Sequence, residues 1–172
     1  YFKNFAVWII SVINSIQDLD VAIDRFEKFP VIIKLAQGSQ GSGVSIIESR
    51  RSLRSMIDLM MTTSVGISKS HPMLIQEYVK EAKGKDLRVF IIGGKIIAVM
   101  ERKARRGEFR ANVHQGGSAA AVTLTSEEKK IALAAAKVIG LDVAGVDIIR
   151  TAQGPKVLEV NSNPGFEGIS QA

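Results

Sequence analysis

Asp147, Glu159 and Asn161 are of the types, and at the spacing, that hold a hard cation. Asp147 interrupts the apolar run Val143-Ala-Gly-Val-Asp147-Ile-Ile-Arg150, while Glu159 and Asn161 stand two apart in Val157-Leu-Glu159-Val-Asn161. Residues two apart on a strand project from the same face. A charge in a strand this apolar is costly unless something compensates it. Two carboxylates and an amide carbonyl suit Mg²⁺ or Mn²⁺ and not Zn²⁺. The competing reading is a hairpin whose polar residues cap turns and meet Lys or Arg.

A second set of residues has the chemistry of an anion site. Gly38-Ser39-Gln40-Gly41-Ser42-Gly43 carries three glycines between two strand-like runs. Glycine lets backbone N–H groups approach a phosphate and form an anion-binding concavity. No Gly-Lys-Ser/Thr follows and a strand comes next, which excludes a P-loop and a Rossmann fingerprint. A flexible hairpin tip is the alternative. Lys34 lies in an apolar strand just before the loop, where its ammonium needs an anion or must snorkel to water. Arg102, Lys103, Arg105, Arg106 and Arg110 form a further basic cluster, which as a charge run could equally be a solvated face. There is no Gly-x-Ser-x-Gly elbow, and His71 and His114 lack ligand spacing. Nucleophilic hydrolysis falls away. A Gly loop, Lys, Arg and acidic metal ligands remain, which is equipment for phosphoryl transfer.

The elements that must position these residues are legible in the periodicity. Leu19, Ala22, Ile23 and Phe26 fit one amphipathic helix, with Asp18 or Asp20 as its cap; Leu53, Met56, Ile57 and Met60 fit a second. Strands are predicted at Val31–Leu35, Val44–Glu48, Met73–Val79, Leu87–Ile92, Lys95–Glu101, Ala119–Leu124, Val143–Arg150 and Val157–Asn161. Gly93-Gly94 and Gly154-Pro155 mark hairpin turns. Thr125-Ser-Glu-Glu128 is a capping box that opens a helix ending near Gly140. Thr62–Pro72 and Arg102–Ser118 have no apolar period and read as loops. Strands and helices without βαβ alternation give the class α+β.

Composition bounds the partners. The 172 residues are 46% hydrophobic and 23% charged, as in a folded soluble chain. No Cys is present, so disulfides, thiolate metal sites and a Cys nucleophile are excluded. The net charge of +6 favours anionic partners. Phe5–Ile10 is too short to span a bilayer and lacks signal-peptide flanks, so no membrane is expected and the cytoplasm is the expected compartment. The start at Tyr1 reads as a fragment of a longer protein. A basic nucleic-acid-binding domain is a rival class, disfavoured because only Phe109 among the aromatics sits in the basic run.

Taken in order, Lys34, Gly38–Gly43, Gln76-Glu77-Tyr78-Val79, Asp86-Leu-Arg88, Asp147 and Glu159-Val-Asn161-Ser-Asn-Pro-Gly165 resemble the ATP-grasp superfamily. Glu101–Gly117 resembles its RimK branch of alpha-L-glutamate ligases, which add glutamate to the C-terminus of a ribosomal small-subunit protein. The resemblance runs from about Asp18 onward. It implies two α+β lobes with largely antiparallel sheets gripping ATP, here about residues 18–76 and 77–172. It implies that Lys34 contacts the phosphates and that Gly38, Ser39, Gln40, Gly41, Ser42 and Gly43 close over them. Glu77, Tyr78 and Val79 would form the adenine hinge, and Asp86 would meet the ribose. Arg110 and Asn112 would touch nucleotide or acyl phosphate. From the basic cluster itself, Arg102 and Arg110 are expected to be catalytic, facing the reacting carboxylate and phosphate, with Arg105 and Arg106 steering an anionic acceptor from the rim. Asp147, Glu159 and Asn161 would bind two Mg²⁺ or Mn²⁺ ions. The implied partners are glutamate and the acidic C-terminal tail of a ribosomal protein, with homo-oligomerisation left open; another amino-acid or peptide substrate, or a nucleotide-binding fragment without activity, is the alternative. Set against the resemblance, the sequence is expected to lack the family's N-terminal domain and to cut short the final helix after Gly168, the segment from Glu48 to Met73 is longer than usual, and Asn163 stands where a small residue is common.

Overall fold

The computed structural model describes residues 10–15, 17–35, 43–62, 72–82, 84–111 and 116–165. These fall into two compact units that divide between Tyr78 and Val79.

The first unit is a four-stranded antiparallel sheet with two helices. Its elements are β1 (Ile10–Ile13), α1 (Gln17–Asp24), β2 (Val31–Leu35), β3 (Val44–Ile47), α2 (Arg50–Thr62) and β4 (Met73–Glu77), with sheet order β1-β4-β2-β3. Sequence periodicity missed β1, whose short alternation of exposed and buried residues merges with the apolar run before it. The predicted helix faces are the ones buried: Leu19, Ala22, Ile23, Leu53 and Ile57 join Val31, Ile33, Ile47, Met73 and Ile75 in one core. Asp18 accepts the N–H groups of Asn14 and Ser15, closing the start of α1.

The second unit is a five-stranded antiparallel sheet covered on one face by a single helix. Here β5 (Lys85–Ile92), β6 (Lys95–Lys103), β7 (Ser118–Ala121), α3 (Ser126–Ile139), β8 (Val143–Thr151) and β9 (Gly154–Asn161) give the order β7-β6-β5-β8-β9. A 3₁₀ turn at Lys80–Ala82 precedes β5. The α+β class, without βαβ units, is therefore as the sequence predicts. The predicted loop from Arg102 starts later than expected, because Arg102 and Lys103 pair with Asp86 and Lys85 in β6. β7 begins one residue before the predicted Ala119–Leu124 strand and ends at Ala121.

Alternation assigns the two faces of this sheet. Leu87, Val89 and Ile91 of β5 and Ala144, Val146 and Ile148 of β8 pack with Ile131, Ala132 and Ala136 of α3. Removing such side chains from water stabilises by about 25 cal/mol per Å² of apolar surface. The helix is fastened by its cap. Thr125 Oγ1 accepts the N–H of Glu128, and Glu128 accepts the N–H of Thr125 and two N–H groups of Arg150 on β8. Burial works to raise the Glu128 pKa, but Arg150 and the Thr125 N–H outweigh it and leave that pKa below its ordinary value. Among the described residues, no helix is long and apolar enough to cross a membrane.

Candidate active site

The residues of opposite parity on the same strands build the site, on the sheet face turned away from α3. Asp86 and Arg88 stand two apart on β5. Asp86 is the register partner of Arg102, Arg88 of Asp147, and Asp147 of Glu159. One row of cross-strand neighbours thus carries Arg88, Asp147 and Glu159, and the row beside it carries Asp86 and Arg102.

Asp147 is the hub. It is 1% exposed, and its two oxygens accept from two guanidiniums. Arg88 Nε bonds Oδ1 and Arg88 Nη2 bonds Oδ2 at 2.7 Å, while Arg102 Nη2 reaches the same Oδ2 at 2.7 Å. Arg102 also forks onto Asp86, Nε to Oδ1 at 2.6 Å and Nη2 to Oδ2 at 2.8 Å. Two carboxylates and two guanidiniums therefore neutralise one another in a largely water-free patch, which is the condition for retaining buried charge. Burial pushes the Asp86 carboxyl up to about 6, against the pull of Arg102 and with the nearby Asp147 charge adding to the rise. Burial works to lower the Arg102 pKa, and the two carboxylates overcome it and hold it above its ordinary value.

The competing sequence reading, that Asp147 meets arginines, describes its contacts here. The compensation that a charge in so apolar a strand requires is supplied by this pairing, and Glu159 is exposed and not buried. Asn161 Nδ2 donates to Glu159 Oε1 at 2.9 Å, which leaves the Asn161 carbonyl oxygen as an acceptor. The donor set fits Mg²⁺ or Mn²⁺ in its chemistry. A carboxylate offers about four lone-pair directions, and Asp147 uses three. Among the described residues no three acidic or histidine side chains form a cation cage.

Two backbone devices shape the patch. A β-bulge between Asp147 and Ile148 lets both Val157 and Val160 of β9 pack on the core although they stand three apart. It keeps Glu159 opposite Asp147 without losing the apolar face. Beyond β9, Pro164 folds back over β8, so that a Cβ at Gly145 would lie 2.6 Å from Pro164 Cβ and 3.3 Å from Arg88 Cδ.

The remaining predicted residues lie in different surroundings. Arg110 is not beside Asp147 in the hydrogen-bond pattern. Its Nε and Nη2 donate to Glu108 at 3.1 and 2.7 Å, and its guanidinium lies 5.5 Å from the Phe109 ring centroid. Glu108 also accepts the N–H groups of Phe109 and Arg110, and the arginine pulls its pKa down to about 2. The basic segment is therefore built around an internal glutamate. It is docked on β5 through Gly84, whose φ of +68° favours glycine and where a Cβ would stand 2.9 Å from Ala104 Cβ. Asp86, expected at a ribose, has both oxygens on Arg102. Lys34 is half-buried in β2 between Val44 and Leu74. Glu77 ends β4, Tyr78 is half-buried and Val79 buried. Gly43 closes the glycine loop with φ +73°, its carbonyl accepting the Leu35 N–H. Gly38, Ser39, Gln40, Gly41, Ser42 and Asn112 lie outside the described residues. Arg88, of the Asp86-Leu-Arg88 motif, is the site residue that sequence reasoning leaves without a role. The signal was available: Asp86 and Arg88 are charged residues two apart among Leu87, Val89 and Phe90, so both had to face one charged surface.

Comparison with known proteins sets this geometry in a family. Residues 5–172 match the RimK-like ATP-grasp domain. A probable alpha-L-glutamate ligase of Aliivibrio fischeri (strain MJ11) is 45% identical over 170 residues, covering 99% of this chain and 54% of the relative. One from Thioalkalivibrio sulfidiphilus (strain HL-EbGR7) is 48% identical over 159 residues, covering 92% and 51%. The chain thus spans about half the length of these relatives. Among solved structures, the D-alanine–D-alanine ligase of Bacillus anthracis complexed with ATP superposes with a TM-score of 0.65 at 23% identity, over 95% of this chain and 50% of that one. The ATP-grasp ligase PsnB, complexed with a phosphomimetic variant of minimal precursor, Mg and ADP, gives 0.68 at 21%, over 97% and 48%. These likenesses show the ATP-grasp fold. The chain belongs to the RimK-like ATP-grasp family.

Proposed function

We propose that the protein carrying this chain is an ATP- and Mg²⁺-dependent carboxylate–amine ligase that adds glutamate to the C-terminal carboxylate of a protein. A ribosomal small-subunit protein is the acceptor the family resemblance implies. The observation that carries this reading is the convergence of Asp147, Glu159 and Asn161 with Arg88 and Arg102 on one sheet face. Metal ligands beside fixed guanidiniums suit a reaction in which charge moves among phosphate oxygens.

In the proposed sequence the acceptor carboxylate attacks the γ-phosphorus of ATP, and the bond to the bridging oxygen breaks, giving acyl phosphate and ADP. The amine of glutamate then attacks the acyl carbon, phosphate leaves, and the amine proton passes to solvent or phosphate. Asp147, Glu159 and Asn161 hold the metal, which when bound neutralises phosphate charge and orients the oxygens. Arg102 keeps its guanidinium at the reacting carboxylate and phosphate. Arg110 supplies a second cation, and its grip on Glu108 is the kind of contact a substrate carboxylate would make. Lys34 and the loop from Gly38 to Gly43 take the phosphates. Glu77, Tyr78 and Val79 line the adenine.

The test is incubation with ATP, Mg²⁺, L-glutamate and peptides with acidic C-terminal tails, read by mass spectrometry. Glutamate-sized additions that require ATP are expected. ATP-independent addition, or ADP release without any addition to any acceptor, would overturn the ligase assignment.

A further inference from the structure

Of the two carboxylates that pair with Arg88 and Arg102 on the site face, Asp86 is the one without a part in the chemistry proposed above. It is 7% exposed, and both its oxygens are taken by one guanidinium. A ribose hydroxyl would have to compete with that fork. An arginine has five N–H donors. Arg102 gives Nε–H and one Nη2 hydrogen to Asp86 and its other Nη2 hydrogen to Asp147. Among the described residues its Nη1 hydrogens have no hydrogen-bond partner. The register pairing of Asp86 with Arg102 across β5 and β6 makes this a built feature of the sheet.

The hold is also divided. Asp147 is shared with Arg88, which engages both its oxygens. Asp86 is the carboxylate that serves Arg102 by itself. Without it, Arg102 would depend on a single bond to a carboxylate already occupied by another arginine and needed for metal. Long side chains lose definition when a bidentate partner is removed, because the planar fork is what fixes the guanidinium.

We propose that Asp86 is a positioning residue for Arg102, fixing its guanidinium so that the Nη1 edge is the one turned to the transferring phosphoryl group and its carboxylate. This rests on the reading of Arg102 as a catalytic residue.

The experiment compares wild type with Asp86→Asn, Asp86→Glu, Arg102→Lys and the Asp86→Asn/Arg102→Lys double variant. The probes are Mg·ATP, Mg·2′-deoxy-ATP, L-glutamate and a synthetic peptide ending in an acidic tail. Asp86→Asn should lower kcat by about 10- to 100-fold, the scale of a misplaced catalytic group. The affinity for ATP and the ratio of ATP to 2′-deoxy-ATP affinity should stay within about twofold of wild type. The double variant should be no slower than Arg102→Lys alone, as for residues that act as a unit. In ¹⁵N NMR, the Arg102 Nε–H of wild type should exchange slowly with water and become fast in Asp86→Asn, with Asp86→Glu restoring part of the protection and of kcat.

Loss of ATP affinity together with loss of 2′-deoxy discrimination, at unchanged kcat, would make Asp86 a ribose ligand and overturn the proposal. So would an unprotected Arg102 Nε–H in wild type, a measurement that needs no variant to fold. If Arg102→Lys turns over like wild type while the Nε–H is protected only when Asp86 is present, the reading of Arg102 fails and the hold of Asp86 on it survives.

Discussion

Replacing Gly145 by Ala tests whether the turn after β9 is seated on the site face. A Cβ there would stand 2.6 Å from Pro164 Cβ, 3.5 Å from Pro164 Cγ and 3.3 Å from Arg88 Cδ. Non-bonded carbons rest about 3.5–4.0 Å apart, so the proline must retreat by roughly 1 Å. Pro164 is buried and its ring is stiff, so the strain cannot be relieved by a rotamer change. Overpacking of this kind costs about 1–3 kcal/mol. At about 2–4 °C per kcal/mol for a chain this size, Tm should fall by roughly 2–12 °C. Urea denaturation of Gly145→Ala, Pro164→Gly and the double variant gives the coupling. The double variant should recover much of the loss, because Pro164→Gly removes the Cβ that collides. Additivity within about 0.5 kcal/mol would mean that the two sites are independent and the packing argument is wrong.

Other outcomes follow from the charged groups. Glu128 has a lowered folded-state pKa, so its contribution is complete above its unfolded value of about 4.3 and is lost as pH falls through the lower folded value. Glu128→Gln should therefore flatten the acid limb of a stability–pH curve; an unchanged slope would refute the pairing with Arg150. Lys34→Ala should weaken ATP binding by about 1.5–3 kcal/mol, the range for a charge-assisted hydrogen bond, measured by calorimetry, and unchanged affinity would place the phosphates elsewhere. Arg105→Ala/Arg106→Ala should raise the acceptor KM most at low salt, as screened rim charges do. A salt-independent loss of kcat would move those arginines into the chemistry.

Much of the fold was legible because its elements are locally consistent. The 3.6-residue spacing of Leu53, Met56, Ile57 and Met60, the Thr125–Glu128 cap and the Gly93-Gly94 turn each dictate one local answer, and the structure contains each. What was not legible depends on registers and bulges. Nothing local shows that Arg102 pairs with Asp86, since the two lie sixteen residues apart and meet only because β6 continues past Glu101. The Arg102–Ser118 segment reads as a loop from its first residue because a basic strand end has no apolar period. An arginine's partner cannot be chosen from a row of charges, so the pairing of Arg110 with Glu108 was not legible either. Likewise nothing local distinguishes Gly145 within the run Val143–Arg150. Its importance is steric and comes from Pro164, nineteen positions later.

In the proposed site, Asp147, Glu159 and Asn161 bind nucleotide through a divalent cation. Calorimetry of ADP binding with and without Mg²⁺, in wild type and Glu159→Gln, tests it most directly. Glu159 is exposed, so the substitution leaves the core packing in place. Mg²⁺ should strengthen ADP binding to wild type by at least about tenfold, or ~1.4 kcal/mol, and Glu159→Gln should abolish most of this gain. An equal Mg²⁺ effect in both proteins, or none in wild type, would contradict it.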